Sequence, residues 1–194
     1  MSPATLLHTG DSGSLPSSSG ENPYPSGQDI CVCLIGMPGS GKTTLAKELA
    51  RQLSWGWLDT DHLLQAWFGL TLESLKDSLS REDFLRSEQE VVLELWVRRC
   101  VVATGGSVIY SPKAMRKLQS LGPVVYLRAS LETITSRVAQ SPQRGLIMDE
   151  GEDLEALYAA RTPLYEYYAD LTLDTDSTGP QEAVKEIADR LELT

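Results

Sequence analysis

A glycine-rich motif constrains this chain more than any other feature. Gly36-Met37-Pro38-Gly39-Ser40-Gly41-Lys42-Thr43 matches in full the pattern G-x-x-x-x-G-K-[ST] of a phosphate-binding loop. An unbroken apolar run at residues 30–35 precedes the motif, and a helical pattern at residues 44–53 follows it. Glycines let backbone N–H groups close around phosphate oxygens that side chains would obstruct. The sequence therefore predicts a strand–loop–helix unit that binds a nucleoside triphosphate by its phosphates.

Individual residues of this loop have predictable roles. The N-terminus of the following helix adds the positive end of its dipole. We expect Lys42 to reach the β- and γ-phosphates of ATP and the Thr43 hydroxyl to ligate Mg²⁺. A glycine-rich turn without a ligand remains the structural alternative. The other residues predicted to contact the nucleotide are Gly36, Gly39, Ser40, Gly41 and Thr44.

Strand and helix patterns alternate along the rest of the chain. The predicted strands are residues 30–35, 55–59, 100–103, 124–127 and 171–173. One predicted helix is capped by Ser80 and places Phe84, Val91, Val92, Leu95 and Trp96 on one face. The other predicted helices are residues 44–53 and 62–68, one from Pro112 to Gly122, and residues 130–139, 153–168 and 180–193. Pro163 is predicted to kink or split the 153–168 helix. Such alternation predicts an α/β fold: a three-layer α/β/α sandwich around a five-stranded parallel sheet.

Two segments lack this patterning. Residues 1–28 are rich in Ser, Gly and Pro, and we expect a flexible tail that is neither a signal peptide nor a transit peptide. Residues 140–152 contain Pro142, Gly145 and Gly151, and we expect a mobile loop there. Residues 29–194 are then expected to form one domain.

Composition excludes several partners. With 17 Lys and Arg against 27 Asp and Glu, the net charge of −10 argues against binding nucleic acid or anionic membranes. No apolar run approaches the roughly 20 residues of a membrane span. Three cysteines, an odd number, suit a reducing compartment. We therefore expect a cytoplasmic protein with a small-molecule partner, and a monomer.

Asp59-Thr60-Asp61 closes the second predicted strand. In a doubly wound sheet, ligands gather at the carboxyl ends of the strands, on the same side as the phosphate-binding loop. One carboxylate can then hold the waters of Mg²⁺, and the other can orient an acceptor hydroxyl and accept its proton. The alternative is that one or both aspartates only cap the next helix.

Several motifs together resemble the shikimate kinases, a family of P-loop kinases whose fold is like that of the nucleoside monophosphate kinases. The resemblance covers about residues 30–192. The segments that carry it are residues 36–43, Asp59-Thr60-Asp61, Ala103-Thr104-Gly105-Gly106, Gln143-Arg144-Gly145-Leu146 and Arg161-Thr162-Pro163-Leu164-Tyr165. It implies phosphoryl transfer from ATP to a hydroxyl of shikimate, with Mg²⁺, in aromatic amino-acid biosynthesis.

The resemblance also implies roles for single residues. Thr43 and, through water, Asp59 would hold Mg²⁺, while Asp61 would hold the shikimate hydroxyls. Arg161 would pair with the substrate carboxylate, because a guanidinium fork suits two oxygens. Lys42 and Asp61 would be catalytic.

Four further residues are placed by the same resemblance. Gly105 and Gly106 would offer backbone N–H groups to the substrate ring. Arg137 would pack on adenine, and Arg144 would be catalytic by reaching the transferring phosphate. Each basic residue has the alternative of being a solvated surface charge.

The chain departs from the family pattern in the acceptor region. Where the family has Phe-Arg-x-x-Glu, this chain has Phe84-Leu85-Arg86-Ser87-Glu88, so the arginine that would also grip the carboxylate is replaced by Leu85. Arg86 lies about 100° further round a helix, whereas Arg81 lies one turn earlier on the Leu85 face and reaches inward if the helix begins there. Glu88 is placed to position a basic neighbour.

Two smaller departures affect the same region. Ser107 replaces the third glycine of the family's Gly-Gly-Gly and narrows the pocket floor, and Gly145 stands where the loop often has proline. None of the three departures touches the ATP machinery. A same-fold kinase for another small polyol, hydroxy acid or amino acid, or a nucleotide-binding regulatory module, therefore stays open as an alternative.

Overall fold

The structure, a computed structural model, describes residues 29–140 and 153–193. The predicted tail, residues 1–28, lies outside the described residues. So does most of the predicted loop, residues 141–152, which includes Arg144.

Five parallel strands form one sheet in the order β2-β3-β1-β4-β5. Helices cover both faces, which confirms the predicted three-layer α/β/α sandwich. Because β1 lies at the centre and its neighbours β3 and β4 lead to opposite sides, the loop after β1 sits at the point where the topology switches direction. The strands are β1 (Val32–Ile35), β2 (Gly56–Asp59), β3 (Cys100–Ala103), β4 (Val124–Arg128) and β5 (Leu171–Asp174).

The predicted helices are present near their predicted positions, and the structure has one additional α-helix that was not predicted from the sequence. This is α3, which Thr71 caps by accepting a hydrogen bond from the Ser74 N–H at 3.2 Å. None of the described helices has the length and apolarity needed to cross a membrane. The helices are α1 (Lys42–Leu53), α2 (Thr60–Phe68), α3 (Leu72–Ser78), α4 (Arg81–Leu93), α5 (Pro112–Leu121), α6 (Leu131–Ala139), α7 (Leu154–Tyr168) and α8 (Pro180–Arg190).

Two apolar cores flank the sheet because neighbouring side chains along each strand point to opposite faces. Val32 and Leu34 of β1 pack with α1 and α8, whereas Cys33 and Ile35 pack with α4, α5 and α7. A third, smaller cluster joins α2, α3 and α4 through Leu64, Leu75, Phe84 and Val91. This cluster fixes α3 beside the carboxyl ends of the strands.

One prediction about helix packing was wrong, and one of two alternatives for another helix is excluded. The helix capped by Ser80 ends at Leu93, so Trp96 lies beyond it with 73% of its surface exposed, and Lys117 rests 4.6 Å from its ring centroid. Leu95 is buried as expected, but from the segment after the helix. Of the two alternatives predicted for Pro163, splitting is excluded because α7 continues through it to Tyr168.

Candidate active site

The loop between β1 and α1 has the backbone that only its glycines allow. Gly36 adopts a φ of 145°, and a Cβ there would lie 2.7 Å from the carbonyl oxygen of Leu127. Gly41 adopts a φ of 99° and faces open space. Other residues rarely reach these φ values. The loop therefore presents its main chain, not side chains, to whatever enters there.

Polar side chains inside this loop are preset for a polyanion. The Lys42 ammonium is buried and donates to the carbonyl oxygens of Gly36 and Met37, at 2.8 and 2.9 Å. The Ser40 hydroxyl is buried and has no hydrogen-bond partner among the described residues. Because buried polar atoms are normally paired, this hydroxyl is a candidate contact for a ligand bound at the loop.

Asp59 ties the loop to the end of β2. Its Oδ2 accepts a 2.7 Å hydrogen bond from the Thr43 hydroxyl, and its Oδ1 accepts one of 3.0 Å from the Asp61 N–H. The second bond caps α2. Asp59 therefore does cap the next helix, as the alternative interpretation stated. Its Oδ2, however, also lies beside Thr43, as the predicted Mg²⁺ site requires.

A single cavity of about 590 Å³ joins the loop to the opposite group of polar residues. On one side lie Gly39, Gly41, Lys42, Thr43 and Asp59, and on the other lie Asp61, Lys76, Glu88, Gly106, Ser107 and Arg161. The first group of residues suits phosphates. The second group, which we call the acceptor half of the cavity, suits a small polar molecule.

The buried Glu88 carboxyl group and the half-buried Asp61 carboxylate meet in the second half of this cavity. A Cβ at Gly105 would overlap Glu88 Oε1 and would lie 2.7 Å from Asp61 Oδ1, so the missing side chain makes room for both. Burial, followed by repulsion from Asp59, raises the pKa of Asp61. Burial, followed by repulsion from Asp61, raises the pKa of Glu88 to about 8. Glu88 also accepts a short hydrogen bond from the Ser107 hydroxyl.

Arg161 of α7 enters the same half and is 1% exposed. Its Nε donates to the Tyr110 hydroxyl at 3.4 Å, and its guanidinium lies 5.4 Å from the Tyr110 ring centroid. The α4 helix does begin at Arg81, as the compensation hypothesis required. The Arg81 guanidinium, however, lies 5.6 Å from the same Tyr110 ring, and Arg81 is not among the described residues that line the cavity.

A second cavity of about 340 Å³ lies on the other side of the loop. Its lining includes Ser40, Gly41, Thr44 and Arg137, so it continues from the phosphate-binding backbone. Arg137 is held there by hydrogen bonds to the carbonyl oxygens of Gly39, at 3.3 Å, and Thr175, at 3.0 Å. These bonds hold its guanidinium at the edge of this second cavity.

The comparisons with known proteins agree with this geometry. The model of the shikimate kinase family matches residues 38–192. The shikimate kinase of Francisella tularensis subsp. novicida is 34% identical over 161 residues, which are 81% of this chain and 92% of that protein. The chain belongs to the shikimate kinase family.

Solved shikimate kinase structures have the same fold. That from Acinetobacter baumannii, in complex with shikimate, superposes with a TM-score of 0.78 at 29% identity over 84% of this chain and 93% of that one. The shikimate kinase of Aquifex aeolicus gives 0.70 at 27% identity over 84% and 96%. Shikimate kinases are phosphotransferases with an alcohol acceptor, and ATP is their co-substrate.

The described residues fit the Mg²⁺ that such kinases use. Thr43 and Asp59 supply hard oxygen donors next to the phosphate-binding loop. No group of three or more His, Cys, Asp or Glu that could hold a metal occurs among the described residues. Mg²⁺ suits this arrangement because it normally keeps several waters and shares its remaining positions with substrate phosphates.

Most of the residues predicted from the sequence line these two cavities, and the three that are not among the lining residues are Gly36, Gly105 and Arg144. The Gly105 N–H donates to the Thr60 hydroxyl at 2.9 Å, so only Gly106 of the pair lines the acceptor half. Arg144 lies outside the described residues.

The sequence interpretation missed Lys76 and Tyr110 entirely. Thr71 and Ser74 at capping spacing, together with Leu72 and Leu75, were a signal for the helix that carries Lys76.

Proposed function

We propose that this chain transfers the γ-phosphoryl group of ATP to a hydroxyl of shikimate, giving shikimate 3-phosphate and ADP. One observation carries the proposal. The loop that fits phosphates and the polar cluster around Asp61 and Arg161 line a single cavity, so donor and acceptor can meet without intervening protein. Membership of the shikimate kinase family supports the identity of the acceptor.

The loop holds the donor. Backbone N–H groups of residues 39–44, the Ser40 hydroxyl and the Lys42 ammonium bind the phosphate oxygens, and Arg137 packs on adenine. When ATP enters, Lys42 exchanges its bonds to the Gly36 and Met37 carbonyl oxygens for bonds to phosphate. Mg²⁺, held by Thr43 and through water by Asp59, would neutralise charge on the phosphates and help orient them.

Asp61 aligns the acceptor and receives its proton. The acceptor oxygen attacks phosphorus as the bond to the bridging oxygen of ADP breaks, and the hydroxyl proton passes to the Asp61 carboxylate. Burial raises the pKa of Asp61, which makes it a stronger base than an exposed aspartate. Arg144 is assigned to the charge on the transferring phosphate by resemblance alone.

Arg161 holds the acceptor carboxylate. Its burial excludes water from the guanidinium, which strengthens a charge-assisted hydrogen bond. The Gly106 N–H, and the Gly105 N–H if it exchanges its bond to Thr60, complete the contacts to the acceptor ring.

The proposed setting is a cytoplasmic monomer with no nucleic-acid or membrane partner. Both halves of the site come from one chain, which supports action as a monomer. All three cysteines are free and buried, which supports a reducing compartment.

An acceptor panel tests the proposal. ADP release is measured with shikimate and, in parallel, with small polyols, hydroxy acids and hydroxy amino acids, and the phosphorylated product is identified by mass spectrometry. We expect shikimate to give the largest kcat/KM. A larger value for another acceptor would replace shikimate, and ATP binding without phosphorylation of any acceptor would favour a regulatory nucleotide-binding module.

One observation keeps another small acid as the second candidate. Leu85 lines a side cavity of about 230 Å³ together with Glu88, Ser107 and Tyr110, where the family has an arginine that grips the carboxylate. An acceptor with a differently placed carboxylate would need that arginine less, and the same panel separates the two candidates.

A further inference from the structure

The acceptor half of the cavity contains a cation that the family resemblance does not assign. The Lys and Arg residues among the described ones that line the cavity are Lys42, Lys47, Lys76 and Arg161, and His62 lines it as well. Lys42 donates to loop carbonyl groups, and the Lys47 ammonium lies 4.8 Å from the Trp57 ring centroid. Lys76 and Arg161 remain as the cations of the acceptor half.

The ammonium of Lys76 is close enough to the acceptor cluster to interact with each of its charges. Burial is the largest influence on Lys76 and lowers its pKa, while attraction from Asp61 and Glu88 opposes that effect and Arg161 adds to it. The influence is mutual, because Lys76 in turn lowers the pKa values of Asp61 and Glu88. Lys76 thus lines the same cavity as both acids and the buried arginine and interacts electrostatically with each of them.

The position of Lys76 is set by packing. Leu75, the neighbouring residue, is buried in the cluster that joins α2, α3 and α4. The Lys76 ammonium lies 5.8 Å from the ring centroid of Phe84 in the same cluster. A lysine stem held along apolar surface keeps its charged end directed toward the polar cavity. The charge is therefore supplied by α3 and not by the α4 position that Leu85 occupies.

A negatively charged acceptor would complete the charge balance of this cluster. Lys76, Arg161, Asp61 and Glu88 all line this part of the cavity. Burial raises the pKa of Glu88 to about 8, so Glu88 favours its neutral form at pH 7, and two cations then face the single charge of the Asp61 carboxylate. A ligand carboxylate placed between the two cations would offset the remaining positive charge.

We propose that Lys76 is an acceptor-binding residue that pairs, together with Arg161, with the carboxylate of the acceptor, and so replaces from α3 the cation that Leu85 lacks. The inference rests on the proposed function, since it names the residue that selects a carboxylate-bearing acceptor in that site. Arg161 supplies the fork, and Lys76 supplies a second, mobile point charge.

Substitution of Lys76 tests this pairing. Lys76→Met removes the charge and keeps the apolar stem. We expect the apparent KM for shikimate to rise about tenfold, as for loss of one charge-assisted hydrogen bond, with the KM for ATP unchanged. Lys76→Arg keeps the charge and should stay within a few-fold of the wild-type KM.

Lys117→Met is the matched control, because Lys117 also lies over an aromatic ring but on a remote helix, α5. It should leave the KM for shikimate unchanged. A thermal melt of each variant shows whether the fold is retained.

The methyl ester of shikimate distinguishes a direct charge contact from a purely structural effect of Lys76. It has the same ring hydroxyls without the negative charge. We expect Lys76→Met to weaken binding of the acid about tenfold and binding of the ester less than twofold, measured by calorimetry.

Two outcomes overturn the inference. An unchanged KM for shikimate in Lys76→Met would do so, as would an equal loss of binding for acid and ester. If the wild-type chain phosphorylates shikimate, either outcome leaves the proposed function standing. A wild-type chain that does not phosphorylate shikimate overturns the proposed function and this inference together.

Discussion

The Thr43 hydroxyl donates a 2.7 Å hydrogen bond to Asp59 Oδ2 and thereby joins the first turn of α1 to the end of β2. The other oxygen of the same carboxylate caps α2. One aspartate thus connects the phosphate-binding loop to the helix that carries Asp61. A change at Asp59 should therefore affect both stability and the use of Mg²⁺.

Asp59→Ala separates these two roles when it is compared with Asp153→Ala. Asp153 caps α7 by accepting from the Ala156 N–H at 2.8 Å and lies away from the loop. Each variant should lose about 1 kcal/mol of unfolding free energy in urea. Only Asp59→Ala should raise, several-fold, the Mg²⁺ concentration for half-maximal activity. Equal Mg²⁺ requirements in the two variants would contradict the assignment.

Lys42→Met should abolish turnover. The lysine is buried in the loop and is the cation nearest the expected β- and γ-phosphates, so its loss should lower kcat by roughly two orders of magnitude or more. Lys113→Met, an exposed change on α5, is the control in the same ADP-release assay. Wild-type turnover in Lys42→Met would refute the loop as the donor site.

Asp61→Asn should impair transfer while leaving ATP bound. The amide keeps the shape of the side chain but cannot accept the acceptor proton as a base, so kcat should fall about 100-fold or more. Calorimetry should give an ATP affinity within a few-fold of wild type, because Asp61 lies in the acceptor half. A lower ATP affinity with unchanged kcat would indicate that Asp61 contacts ATP and not the acceptor.

Leu85→Arg should improve the use of shikimate. Leu85 lines the side cavity that shares Glu88 and Ser107 with the main one, so an arginine there gains a carboxylate partner and reaches toward the acceptor. We expect the apparent KM for shikimate to fall by up to about tenfold, because the guanidinium adds a charge-assisted hydrogen bond to the contacts proposed for Arg161 and Lys76. Leu85→Met, of similar volume but neutral, should leave it unchanged. An unchanged or higher KM in Leu85→Arg would contradict this reasoning.

Glu88 should make stability depend on pH. Burial raises its pKa to about 8 from an ordinary value of 4.5. Between these values the folded chain keeps a proton that the unfolded chain has released, so raising the pH favours unfolding, by at most about 1.4 kcal/mol per pH unit. Urea unfolding from pH 5 to 8 should show wild type losing stability relative to Glu88→Gln. Parallel curves for the two proteins would contradict the raised pKa.

The sequence predicted those parts of the fold that depend on local patterns. The apolar run of β1, the glycine loop and the aspartates after β2 each have a short-range physical cause, and the parallel sheet follows from their alternation with helices. The predicted end of α4 was wrong because Leu95 continues the apolar pattern after the helix has ended at Leu93, where the Leu95 N–H already donates to Val92 instead of to residue 91. Trp96 then turns out to solvent, which periodicity does not reveal.

The acceptor half was less predictable because it is assembled from distant segments. Lys76 reaches the site only because α3 packs on α2 and α4, and Glu88 is buried only because Gly105 leaves space beside Asp61. No spacing in the sequence connects these residues. The family resemblance indicated Arg161, but it assigned a substrate contact to the Gly105 N–H that Thr60 accepts in the structure.

Transfer of label from γ-labelled ATP tests the central claim most directly, namely that one cavity brings the triphosphate to a shikimate hydroxyl beside Asp61. The wild-type chain is incubated with labelled ATP, Mg²⁺ and shikimate, and the products are separated by ion-exchange chromatography. We expect the label in shikimate 3-phosphate, and strongly reduced transfer with Asp61→Asn. Label found only in inorganic phosphate, or equal transfer by the Asp61→Asn variant, would contradict the account.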